Sequence, residues 1–164
     1  VFDMSIYRET GTIEGCSPAV EAVERLTEFY LANGYDAVEP PPLEGSKVEA
    51  HKFERGKPGA GWWTSNMTEL HTVVVLESAG ERIQITYEVD TTGQMLKDVE
   101  QAFWLRELQW ARRYATEETD EPRDLREDEA RRAKKQTSEM RSLGVWAAVA
   151  IFAVIVGLGF LGLI

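Results

Sequence analysis

The residues of this chain best suited to chemistry gather in Arg55-Gly-Lys-Pro-Gly-Ala-Gly-Trp-Trp, positions 55–63. Gly56, Gly59 and Gly61 would let the backbone turn its N–H groups toward an anion, with Arg55 and Lys57 beside it. The stretch lacks the Gly-Lys-Ser/Thr ending of a phosphate-binding loop, and no clear helix follows it. The stronger expectation is a flexible loop that brings Trp62 and Trp63 to a surface for docking on a partner or a membrane interface. The chain's two histidines, His51 and His71, each fall in a strand without a second metal ligand nearby, and are expected to be structural. Cys16 is the single cysteine, which excludes an internal disulfide and any four-cysteine zinc or iron–sulfur site. There is no Gly-x-Ser-x-Gly elbow, His-Glu-x-x-His pair or dinucleotide fingerprint. No catalytic residue, metal site or cofactor is therefore expected. An enzyme built on Arg55, Lys57 or His71 would need those side chains to converge in one cleft.

The elements that would position these residues read as α+β. Residues 4–13 alternate loosely as a first strand. Ser17-Pro18 supplies an N-cap and a first helical residue, and Ala19, Ala22, Val23, Leu26, Phe29 and Tyr30 recur at helical spacing. Asn33-Gly34 stops that helix. A short strand over 35–38 runs into the stiff turn Pro40-Pro41-Pro42, and residues 48–53 form the next strand. Residues 70–77 and 82–89 make the clearest hairpin. Ile83, Ile85, Tyr87 and Val89 alternate with polar residues, giving one buried face. The first arm of the hairpin is apolar at more positions and belongs nearer the sheet centre.

A second long helix is expected over 92–116. Met95, Leu96, Val99, Ala102, Phe103, Trp110 and Tyr114 form the stripe expected to cover the sheet. Trp104, Leu108 and Ala111 form another line on the far side. Either the first helix covers this line or a partner does; since a helix on an open sheet normally buries one face, the partner is favoured, and Trp104 and Leu108 join Trp62 and Trp63 as expected partner-docking residues.

From Glu117 to Glu129 there are eight acids and two bases, and from Ala130 to Arg141 five bases and one acid. This segment is expected to be a charged linker or helix, with Glu127–Arg131 and Asp128–Arg132 in favourable i,i+4 order. From Leu143 to Ile164 there is no charge at all. As a helix this run is about 33 Å long, enough for a hydrocarbon core of about 30 Å. It contains no His, Cys, Met, Asp or Glu, so it offers no usual side-chain ligand for haem or chlorophyll and no proton relay. Ala150, Ala153 and Gly157, with Gly144 and Ala148, mark a face on which another membrane helix can pack closely. The N-terminal residues show neither the basic nor the apolar region of a secretory signal. Arg131, Arg132, Lys134, Lys135 and Arg141 precede the run, which places the preceding domain in the cytoplasm and the C-terminal end across the inner membrane. These five bases are also the expected contacts to anionic lipid headgroups.

The net charge of −10 argues against nucleic acid as a partner. Phe53-Glu-Arg-Gly-Lys57, followed by Gly93-Gln94 and Phe103-Trp-Leu-Arg-Glu-Leu108, resembles bacterial single-pass membrane proteins with a small cytoplasmic α+β domain. The resemblance covers about half the chain and implies no activity. The expected organisation is an α+β domain over 1–116, with an antiparallel sheet of four to five strands and two helices. A charged segment over 117–142 and a single transmembrane helix over 143–164 follow. The leading functional expectation is a non-catalytic accessory subunit that docks on and stabilises a larger bacterial membrane complex through other transmembrane subunits. A photosynthetic or respiratory assembly is a candidate host. A rival is a helix-grip-like module holding a lipid or other apolar ligand in a cavity beneath Phe103 and Trp110.

Overall fold

A computed structural model describes residues 6–15, 19–39, 48–136 and 138. Cys16, the Ser17-Pro18 helix opening, the proline triplet, Arg141 and the apolar run 143–164 lie outside them. So do its packing positions Gly144, Ala148, Ala150, Ala153 and Gly157. Among the described residues, no helix is long and apolar enough to cross a membrane.

The described chain is α+β. Strand β1 (Ile6–Glu14) leads to helix α1 (Ala19–Ala32), and strands β2 (Asp36–Val38), β3 (Glu49–Arg55), β4 (Thr72–Ala79) and β5 (Arg82–Asp90) follow, then helix α2 (Asp98–Ala115). A third helix, α3, covers 126–136. The strands form one antiparallel sheet in the order β1-β5-β4-β3-β2. The hairpin β4–β5 is the expected one shifted by two residues at β4, with Gly80-Glu81 between the register partners Ala79 and Arg82. As its apolarity indicated, β4 is the central strand.

One face of the sheet is buried. Phe53, Val74, Leu76, Ile83, Ile85, Tyr87 and Val89 point into the core, and Ala22, Val23, Leu26, Phe29 and Tyr30 of α1 meet them. This is the helical stripe read from the sequence, and Gly34 ends the helix with φ 79° as the stop signal requires. The opposite face carries Lys52, Glu54, Thr86 and Glu88, each half-buried, with Lys52 paired to Glu54 and Glu88 to Arg8.

The stripe expected of α2 is rotated in the structure. The helix begins at Asp98, where Glu100 accepts the Lys97 N–H at 2.8 Å, so Met95 and Leu96 precede it. Met95 is 93% exposed and Val99 55%. The line assigned to a partner is instead the interior one: Trp104 is fully buried, tilted against Tyr7 of β1 at 5.5 Å, and Ala111 is buried too. Leu108 packs onto Gly11 of β1, where even a Cβ would collide with its methyl groups. Two apolar faces coexist because α2 is wedged. The sheet takes the Trp104 side, α1 takes Tyr114, and the chain after α2 folds back beside Phe103 and Trp110.

That returning chain is not a solvated linker where it is described. Arg25 donates to the carbonyls of Tyr114 and Thr119. Asn33 donates to the Arg123 carbonyl at 2.9 Å and accepts the Leu125 N–H at 2.9 Å. Leu125, Glu129 and Ala133 are buried. Helix α3 opens four residues after Pro122. Glu127–Arg131 pair as the spacing indicates. Arg132 turns to Glu129 rather than Asp128, and Asp128 pairs with Arg123.

Candidate functional site

Strands β3, β4 and β5 and the start of α2 share one end of the sheet, and the chemistry-bearing loop lies there. It leaves β3 at Arg55 and returns to β4 at Thr72. Its backbone is closed by Lys57 N–H to the Glu69 carbonyl at 3.1 Å. A short turn, Ala60–Trp62, is held by Ala60 N–H to Lys57 and Trp62 N–H to Gly59. A second turn, Met67–Glu69, is capped by Asn66, which accepts the Thr68 N–H. Met67 is fully buried beneath it.

These bonds decide the anion-nest expectation. The N–H groups of Lys57, Ala60 and Trp62 are bonded within the loop, and an internal carboxylate takes that of Gly59. Asp90 accepts the Gly59 N–H at 3.0 Å and the Thr92 N–H at 2.9 Å. Burial raises the pKa of Asp90, but the bonds from Thr92 and Gly59 outweigh it and hold the carboxyl below its ordinary range. Asp90 thus ties the loop to the segment 91–97.

The two tryptophans are displayed as expected: Trp62 is 60% exposed and Trp63 73%. The loop carrying them is braced, not loose. The Trp62 ring lies directly on Gly93, whose φ of 92° and lack of a Cβ leave room for it. Trp63 borders a cleft of about 290 Å³ with Lys57, Thr68 and Glu69. Glu69 is occupied by the Thr64 hydroxyl at 2.6 Å and the Asn66 amide.

Arg55, Lys57 and His71 do not converge. Arg55 points into the core, Lys57 stays on the exposed loop, and His71 lies 3.9 Å from Glu54 on the other face of the sheet. Arg55 donates to Glu107 of α2 at 2.8 Å and to the Asn33 carbonyl at 3.1 Å. Its guanidinium stacks over Tyr35 at 4.1 Å, and the Tyr35 hydroxyl donates to Glu107 at 2.8 Å. Beside this, the hydroxyls of Tyr30 and Tyr87 share a bond of 2.8 Å. Burial pushes the Arg55 pKa down, but the Glu107 charge, with Tyr35 and Tyr87, more than reverses it. Burial drives Tyr30, Tyr35 and Tyr87 well above the usual phenol value.

A second buried acid, Glu129 of α3, accepts the Met67 N–H at 3.2 Å and is paired with Arg132. Arg132 also donates to the Ser65 carbonyl at 3.2 Å. The expected headgroup contacts therefore divide. Arg132 is engaged with the tryptophan loop, whereas Arg131, Lys134 and Lys135 are exposed. A cavity of about 310 Å³ lies between α2 and α3 and touches Phe103 and Trp110, where an apolar ligand was considered. Charged residues Arg106, Arg123, Asp128, Glu129 and Arg132 line it together with Phe103, Trp110 and Leu125. The space between α2 and the sheet is filled by Trp104, Tyr35, Arg55 and Glu107.

The sequence reading missed Glu107, Asn33, Asp90 and Glu129. Only Asn33, in a helix-stop dipeptide, carried a visible signal. Among the described residues no cluster of His, Cys, Asp and Glu is arranged to hold a metal. No protein-family model, curated protein or solved structure matches the chain.

Proposed function

We propose that this protein is a non-catalytic, membrane-anchored accessory subunit that docks on and stabilises a larger bacterial membrane complex, with its α+β domain in the cytoplasm. The observation that carries the reading is the pair Trp62 and Trp63, exposed on a loop that is braced on three sides. Asp90 holds its start, Gly93 seats the Trp62 ring, and Glu129 with Arg132 holds its end. Large exposed aromatics on a preorganised backbone suit docking at a membrane-bound assembly, on its proteins or on the lipid interface around it, because little ordering entropy remains to be lost on contact. The uncharged run 143–164 supports the membrane half of the reading, and its small residues suit packing on other transmembrane helices. Trp104 and Leu108 take no part, since both are engaged inside the domain.

The dispersal of Arg55, Lys57 and His71 weighs against an enzyme built on them. The five charged residues lining the cavity beside Phe103 weigh against a purely apolar ligand there. The test is purification in mild detergent through a tag on the full chain. Stoichiometric recovery of other transmembrane subunits is expected; recovery of this chain alone would overturn the reading.

A further inference from the structure

The exposed large apolar side chains of the domain are unevenly placed. Ile6, Trp62, Trp63, Met95 and Val99 all lie at the end of the sheet where β1 begins, β5 ends and α2 starts. At the opposite end, around the Gly80 turn and the start of α1, only Val20 is comparable among the described residues. Lys57 and Lys97 belong to the first group's loops, and two acids of those loops are internally engaged: Asp90 with the loop backbone, Glu69 with Thr64 and Asn66.

Helix α3 brings the chain to this same end. Glu129 and Arg132 touch Met67 and Ser65, so the last packed turns of the domain lie beside the tryptophan loop. From Gln136 to Leu143, where the uncharged run starts, there are seven residue steps. That is roughly 10 Å of chain if helical and about 25 Å if fully extended. If the charged segment were a free spacer over 117–142, the domain could stand well away from the bilayer. Because 119–133 is packed against the domain, only this short remainder is left.

From this placement we propose that Trp62 and Trp63, with Met95 beside them, rest in the lipid interface, so that the tryptophan end of the sheet is the membrane-facing surface of the domain. The inference rests on the membrane-anchored reading above and names the partner of the tryptophan surface as the bilayer itself. Trp suits the headgroup boundary, where its ring is buried and its N–H stays hydrated. Lys57, with Arg131, Lys134 and Lys135, supplies charge toward anionic headgroups within a Debye length of the surface.

The full chain is reconstituted, without other proteins, into vesicles of phosphatidylcholine and phosphatidylglycerol whose acyl chains are either plain or brominated near the glycerol. Emission from Trp62 and Trp63 is taken as the difference between the native chain and W62F/W63F, which removes the contributions of Trp104, Trp110 and Trp146. Bromination is expected to lower that difference about twofold, because indoles at the headgroup boundary lie within reach of bromines near the glycerol. A chain that floats with the vesicles while the difference ignores bromine overturns this placement alone, and is the result a protein partner on these residues would give. A chain that fails to float defeats the anchored reading together with this one. A K57E variant is a second check: the quenching is expected to weaken, and unchanged quenching together with unchanged phosphatidylglycerol dependence counts against the charged part of the surface.

Discussion

Arg55–Glu107 and Arg132–Glu129 are chemically the same pair, used in two different ways. The first joins β3 to α2 over 52 positions, and its side chains are 4% and 0% exposed. The second lies within α3, three residues apart, with exposures of 22% and 1%. A pair within one helical turn can form wherever that turn forms, so its salt bridge alone specifies little of the tertiary structure. Glu129 matters because its carboxylate also accepts the Met67 N–H from a distant loop. Arg55–Glu107 exists only when α2 sits on the sheet in one register. It costs the desolvation of two charges, which is repaid only by the complete set of partners around it: Tyr35, the Asn33 carbonyl and the facing aromatic rings. The buried long-range pair therefore sets the fit of helix on sheet, whereas the local pair fastens a later segment onto a domain already formed.

Breaking one partner of the long-range pair is expected to give the largest effect. Glu107→Ala leaves Arg55 buried and uncompensated, and should lower unfolding stability by about 3–5 kcal/mol in denaturant titration of the detergent-solubilised chain. The double change Arg55→Met with Glu107→Leu should recover most of that loss, because removing both charges removes the desolvation cost. A double variant as unstable as Glu107→Ala would mean that the pair contributes more than mutual neutralisation.

The same region has an alkaline signature. Burial raises the pKa of Tyr30, Tyr35 and Tyr87 in the native protein. The folded state then retains protons that the unfolded state releases above about pH 10. The stability linked to these phenols is intact below that pH and is lost as pH rises beyond it. Phenolate absorbance of the three should appear together with loss of circular dichroism. Ionisation of all three with the fold intact would contradict their enclosure. Tyr7, whose pKa burial and Glu9 raise to about 12, should ionise more independently.

Smaller losses are expected at the local pair. Glu129→Ala deprives the Met67 N–H of its acceptor and should cost about 1–3 kcal/mol. Arg132→Ala, at a partly solvated site, should cost about 1 kcal/mol or less. A reversed order would mean that the Ser65 contact, not the Met67 contact, holds α3 in place. The smallest effect should come from Trp62→Ala and Trp63→Ala, each within about 1 kcal/mol because little of either ring's contact area is internal. The same variants should be those that most weaken docking, which separates the docking surface from the residues that hold the fold.

Much of the fold was legible because it follows from local patterns. Period-two alternation located β5, period-3.6 spacing located α1, and Gly34 marked the helix end. The error on α2 has an identifiable cause: it carries two apolar lines, Phe103 and Tyr114 of one being buried as well as Trp104 and Ala111 of the other, and the assumption that only one helix face is covered left the Trp104 line outside the core. Trp62 and Trp63 were recognisable because a Trp pair in a glycine-rich loop has few ways to be buried. Asp90, Glu107 and Glu129 were not, since an acid destined for burial looks like any other acid until its partner is known. Arg55 was misplaced for the same reason: its neighbours in sequence are loop glycines, while its partner is on a helix far along the chain.

The amino-acid sequence by itself determined what depends on near neighbours: the strand and helix periods, the turn residues, the uncharged run 143–164 and the absence of recognisable catalytic motifs. Only the tertiary structure decided which of two apolar lines on α2 meets the sheet and that Asp90 takes the Gly59 N–H of the glycine loop. It also decided that the charged segment after α2 folds back to fasten the tryptophan loop. Each of these depends on groups far apart in the chain, whose contact costs desolvation and ordering and is favourable only when every partner is in place.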